Sequence, residues 1–65
     1  MNIGDKVRVY NSWIDAEGKK LTATIDKFQK NGTIKFAKVR WLGKQAFDAT
    51  SKYGVLFPLN ELRKV

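Results

Sequence analysis

The 65 residues include no cysteine and no histidine, and only one proline and one methionine. Without cysteine there is no disulfide. Without cysteine or histidine, the ligand sets of structural zinc sites are also missing. The same absences remove the commonest general base and the thiol nucleophile. No apolar run approaches the roughly 20 residues that a membrane-spanning helix needs. Nor does an apolar signal-peptide core follow Met1. These absences lead us to expect a soluble, cytoplasmic chain, complete from Met1, with no membrane partner, no metal and no cofactor. So short a chain also implies one domain over residues 1–65, burying only about 60% of its unfolded surface around a single core.

What the chain does have is positive charge. Thirteen Lys and Arg face six Asp and Glu, for a net charge of +7. A field of that sign on a small surface attracts polyanions and acidic partners, nucleic acid being the commonest. Ten of the thirteen cations are lysine. Lysine acts as a point charge, whereas arginine supplies the forked contacts that read base edges. This balance points to phosphate contact with weak sequence preference.

Period-two alternation dominates the local pattern. Gly4-Asp5 is a turn signal, and Lys6-Val7-Arg8-Val9-Tyr10 then sends Val7 and Val9 inward and Lys6, Arg8 and Tyr10 outward. Asn11–Lys20 has no clear period and reads as a long loop anchored by Trp13 and Ile14. Leu21, Ala23 and Ile25 share one face of a second strand, with threonines between them. Asn31-Gly32 predicts a type I′ hairpin turn between arms at 27–30 and 33–36. From Thr33 to Leu42 the apolar parity changes: Ile34 and Phe36 share one phase, while Ala37, Val39 and Trp41 share the other. A β-bulge at 36–38 would reconcile them. Residues 45–53 read as a loop or one helical turn, and Tyr53–Phe57 as a fourth strand ending at Pro58. A 3₁₀ turn over 59–62 and a last strand at 63–65 complete the chain. The expected fold is all-β: a five-stranded Src-homology-3-like barrel with one short 3₁₀ turn before its last strand.

Three short resemblances carry the same architecture. Gly4-Asp5-Lys6-Val7-Arg8-Val9 and Glu61-Leu62-Arg63-Lys64-Val65 resemble the opening and closing strands of KOW domains. That likeness implies a barrel that binds RNA or protein. Lys20-Leu21 stand where the KOW motif places its glycine. Val55-Leu56-Phe57-Pro58-Leu59-Asn60-Glu61-Leu62 resembles the end of plasmid-type dihydrofolate reductase, a homotetrameric barrel. That enzyme uses a glutamine and a tyrosine where Val55 or Leu56 and Phe57 stand here, so the likeness supports the barrel and not the activity. The basic first strand, Ile34-Lys35-Phe36 and the Asn-Glu-Leu ending resemble a small photosystem I accessory subunit, which docks acidic proteins.

Catalysis finds little support in the residues. The acids Asp5, Asp15, Glu17, Asp26, Asp48 and Glu61 are scattered, and the five glycines occur singly, with no phosphate-cradling pattern. The cations are better organised. Lys27, Lys30, Lys35, Lys38 and Arg40 fall on the central hairpin, with Lys6 and Arg8 on the first strand. The candidate binding set is Lys6, Arg8, Lys35, Lys38 and Arg40 for charge, with Tyr10 and Trp13 to stack bases. The plainer alternative is that these lysines serve solubility and guard strand edges. Of the eight aromatics, Phe36, Trp41 and Phe57 are expected in the core. Trp13 either binds ligand or plugs one barrel mouth. The leading expectation is a non-catalytic module binding nucleic acid, DNA or RNA. The second is docking of an acidic protein on the same face, and the third an oligomeric enzyme with a shared pore.

Overall fold

The computed structural model describes residues 1–18 and 21–65. The elements run β1 (Lys6–Val9), α1 (Ser12–Ala16), β2 (Thr22–Asn31), β3 (Ile34–Trp41), α2 (Ala46–Tyr53), β4 (Leu56–Pro58), a 3₁₀ turn (Leu59–Glu61) and β5 (Leu62–Lys64). The five strands form one antiparallel sheet in the order β4-β3-β2-β1-β5. The expected five antiparallel strands and the 3₁₀ turn ahead of the last strand are present, but as one sheet and not as a closed barrel. The edge strands β4 and β5 share no ladder among the described residues, so the sheet curls about its core without closing by strand pairing.

Alternation sets the core. Val7 and Val9 of β1, Ala23 and Ile25 of β2, and Ala37, Val39 and Trp41 of β3 are buried, and Phe57 and Leu62 join them. β1 pairs with β2 through Lys6 opposite Thr24 and Arg8 opposite Thr22, and with β5 through Arg8 opposite Arg63. The Tyr10 N–H donates to the Glu61 carbonyl at 2.6 Å, tying the end of β1 to the 3₁₀ turn.

Two helices replace expected loops. In α1 the Asn11 side chain accepts the Trp13 N–H at 2.9 Å, while the Asn11 amide donates to Glu61 Oε1 at 3.0 Å. That cap starts the helix and fixes its rotation against the 3₁₀ turn. Successive helical residues lie about 100° apart, so the rotation that aims Ile14 into the core turns Trp13 away. Ile14 is fully buried and Trp13 is 54% exposed. The plug is therefore Ile14 and not Trp13. A one-turn helix shows no period in sequence, which is why 11–18 looks like a loop; Lys19 and Lys20, the end of that expected loop, fall outside the described residues.

The second helix, α2, spans two turns over a stretch that suggests one at most. Ala46, Ala49 and Tyr53 face the core at helical spacing, while Phe47 is 81% exposed. Tyr53 thus belongs to α2, and β4 begins only at Leu56. The indole N–H of Trp41 donates to the Gly54 carbonyl at 2.8 Å, pinning the C-terminus of α2 over the sheet.

The hairpin lies where Asn31-Gly32 puts it, with a different turn. Asn31 pairs with Ile34, so the loop is Gly32-Thr33. Only Gly32, at φ 64°, adopts positive φ there. Positive φ at the first central residue alone is the type II′ pattern, not I′. The bulge also moves. Ile25 pairs with Val39 and Lys27 with Lys38, leaving Asp26 as the extra residue on β2. β3 consequently alternates without interruption, and Phe36 lies on the face away from the core, half-buried and outside the core cluster.

Candidate nucleic-acid interface

The face of the sheet opposite the core is assembled by register. Across β3, β2 and β1, Arg40 stands opposite Thr24 and Thr24 opposite Lys6. One step along, Thr22 stands opposite Arg8 and Arg8 opposite Arg63. Lys38 faces Lys27 across the hairpin on the same side. Strands lie about 4.8 Å apart, so Arg40 and Lys6 are separated by about 10 Å. The short threonines between them leave the long cationic side chains as the relief of this face.

Acids are segregated away from it. The strands hold nine of the thirteen cations (Lys6, Arg8, Lys27, Lys30, Lys35, Lys38, Arg40, Arg63, Lys64) and only Asp26 of the six acids. Asp5 faces Lys64 at 3.8 Å, Glu17 bonds Lys52, and Glu61 accepts from Asn11. Within the described residues, none of Lys6, Arg8, Lys27, Lys38, Arg40 and Arg63 is in an ion pair. Their field is thus uncompensated locally.

Tyr10 stands beside these cations. The Arg8 guanidinium lies 4.9 Å from its ring centre, a cation–π contact that holds the half-exposed ring next to the charge. Trp13 sits elsewhere: its ring meets Tyr53 edge-on at 5.3 Å, and Tyr53 continues to Trp41. In this cluster the Glu17 carboxylate accepts from both Lys52 and the Tyr53 hydroxyl. The Glu17 hydrogen bond raises the Lys52 ammonium above its ordinary 10.5, and desolvation, followed by the Glu17 bond, raises the Tyr53 hydroxyl above 10.0.

Of the sequence-derived candidates, Lys6, Arg8, Lys38 and Arg40 come together by register on one face, and Tyr10 joins them through its contact with Arg8. Lys35 does not join them. Because the bulge is on β2, Lys35 keeps the phase of Ala37 and Val39 and faces Lys30 on the opposite side of the hairpin. Alternation within single strands singles out neither Arg63 nor Lys27 for this face. Arg63 becomes visible once the last strand is paired with the first, and Lys27 once the bulge is located.

Among the described residues, no three His, Cys, Asp or Glu side chains converge in a way that holds a metal ion. No helix is long and apolar enough to cross a membrane. Fold and face together define a small basic β-domain with a cationic sheet surface. Comparison with family models, curated proteins and solved structures gives no match to the chain.

Proposed function

We propose that this protein is a non-catalytic nucleic-acid-binding module, acting in the cytoplasm, that grips phosphates with its cationic sheet face. One observation carries the reading: six cations share that face by register with no carboxylate paired to them. Long cationic side chains about 10 Å apart across three strands reach separate phosphates of one nucleic-acid backbone. Tyr10, held by Arg8, supplies a π surface for a base. Salt titration of binding to short oligonucleotides tests this. With four to six phosphates neutralised, log K falls against log salt with a slope of about −4 to −5 and changes little between sequences. Absence of binding at low salt sinks the proposal.

A second reading, docking of an acidic protein, draws on a different feature. Phe36 opposite Pro58, with Ile34 and Leu56 exposed on the same face, forms an apolar margin beside Lys38 that phosphate binding does not require. Partners captured after nuclease treatment, and lost on Lys38→Glu, favour docking.

A further inference from the structure

The β2–β3 hairpin outruns the rest of the sheet. β1 leaves β2 near Ile25, where the Gly4 N–H donates to its carbonyl, and β4 leaves β3 at Phe36. Beyond those points the two strands continue alone through Lys30 opposite Lys35 and Asn31 opposite Ile34 to the Gly32-Thr33 turn. Every residue from Asp26 to Lys35 is exposed. Past Phe36 and its partner Gln29, two residues per strand and the Gly32-Thr33 turn project about 10 Å.

This arm is cationic on both faces. On one face Lys27 opposes Lys38 at the base of the arm, where β4 still pairs with β3 through Leu56, and on the other Lys30 opposes Lys35 beyond it. Like charges directly across a ladder weaken it. No carboxylate pairs with any of the four among the described residues. On the Lys30–Lys35 face, an open hollow of about 260 Å³ is lined by these lysines with Phe28 and Gln29. An arm that lies flat on a surface needs charge on one side only. Charge on both sides suits a slot walled by anions on both sides.

We infer that the arm enters the major groove of B-form duplex DNA, with phosphate walls flanking its two lysine pairs; this rests on the nucleic-acid reading above. The B-DNA major groove is about 12 Å wide and 8.5 Å deep and admits a two-stranded ribbon. The ~10 Å projection matches that depth. The major groove of an RNA duplex is deep and too narrow to admit side chains. A single strand presents no walls. The tip residues Asn31, Thr33 and Ile34 include no arginine to read guanine, so entry rests on groove shape and phosphate walls rather than on sequence.

The test compares duplex DNA, duplex RNA and single-stranded DNA of one sequence and length by fluorescence anisotropy at matched salt. Duplex DNA is expected to bind at least about tenfold more tightly than duplex RNA, because the arm fits only the former groove. Lys30→Gln with Lys35→Gln should lower the salt slope by about 1.8, two phosphate contacts at ~0.9 each. Lys30→Arg with Lys35→Arg should retain it. Bulky C5 substituents on the pyrimidines, which project into the major groove, should abolish the duplex preference. Equal affinity for DNA and RNA duplexes, tolerance of the C5 groups, or an unchanged slope in the glutamine variant overturns groove entry while leaving phosphate binding intact. No binding to any of the three overturns both proposals.

Discussion

Removing the Ile14 side chain beyond Cβ should destabilise the domain more than removing the much larger Trp13 side chain. Ile14 is fully buried on a single turn of helix whose rotation is fixed by the Asn11 cap. Truncating such a residue to alanine costs about 2–5 kcal/mol, the transfer term plus the cavity left behind. Trp13 is half-exposed, and its ring packs edge-on against Tyr53 at 5.3 Å. Such a ring pair contributes about 0.5–1.5 kcal/mol beyond the area it covers. We therefore expect about 3 kcal/mol for Ile14→Ala and about 2 kcal/mol for Trp13→Ala, the ring pair plus its half-covered area. A chain of this length has a total stability of roughly 3–10 kcal/mol, so the first loss is a large fraction of it. Urea titration followed by far-ultraviolet circular dichroism reads the difference. With a slope of about 1 kcal/mol per molar, the midpoint drops by about 3 M for Ile14→Ala and about 2 M for Trp13→Ala. If Ile14→Ala is too unstable to titrate, Ile14→Val should still cost about 0.5–1.5 kcal/mol. A Trp13→Ala loss equal to or greater than that of Ile14→Ala would refute the argument, since Trp13 would then be the plug.

Three further outcomes follow from the same geometry. Lys35→Glu replaces a like-charge cross-strand pair with an opposite-charge one, so thermal stability should rise by about 0.2–1 kcal/mol while affinity for duplex DNA falls; a variant unchanged in binding would show that the lysine pair serves only the surface. Gly32→Ala places a side chain at φ 64°, with open space around it, so a loss of about 1–2 kcal/mol in urea titration is expected from backbone strain alone. Lys52 and Tyr53 both have folded-state values raised above 10.5 and 10.0. Their contribution is complete below about pH 10 and disappears as pH rises through the folded values. Melting temperature should therefore drop as pH rises above about 10, and less steeply in Glu17→Gln, where the raising partner is gone.

Much of the fold is legible in the chain because it depends on local rules. Val7 and Val9 alternate, Asn31-Gly32 marks the hairpin, and Pro58 ends β4 ahead of the 3₁₀ turn; each follows from side-chain phase or backbone freedom within a few residues. The helices escape notice for the same reason, since one or two turns between Asn11 and Gly18 and between Gly43 and Gly54 contain too few residues to establish a period.

The candidate face divides along the same line. That Lys6, Arg8 and Tyr10 share a side of β1 is a property of the sequence itself, because alternation within one strand needs no partner. Which face Lys35 occupies is not. The change of apolar phase around Phe36 accommodates an extra residue on either strand of the hairpin, and only the pairing of Ile25 with Val39 and Lys27 with Lys38 assigns it to Asp26. A one-residue slip sends every later side chain to the other face. That single assignment exposes Ile34, moves Phe36 out of the core, and separates Lys35 from Lys38 and Arg40. It also turns a one-sided basic surface into an arm charged on both sides. Sequence therefore determined the strands, their turn and the sign of their charge. The tertiary structure decided how that charge is distributed, because a bulge is a relation between two strands and neither strand specifies it alone.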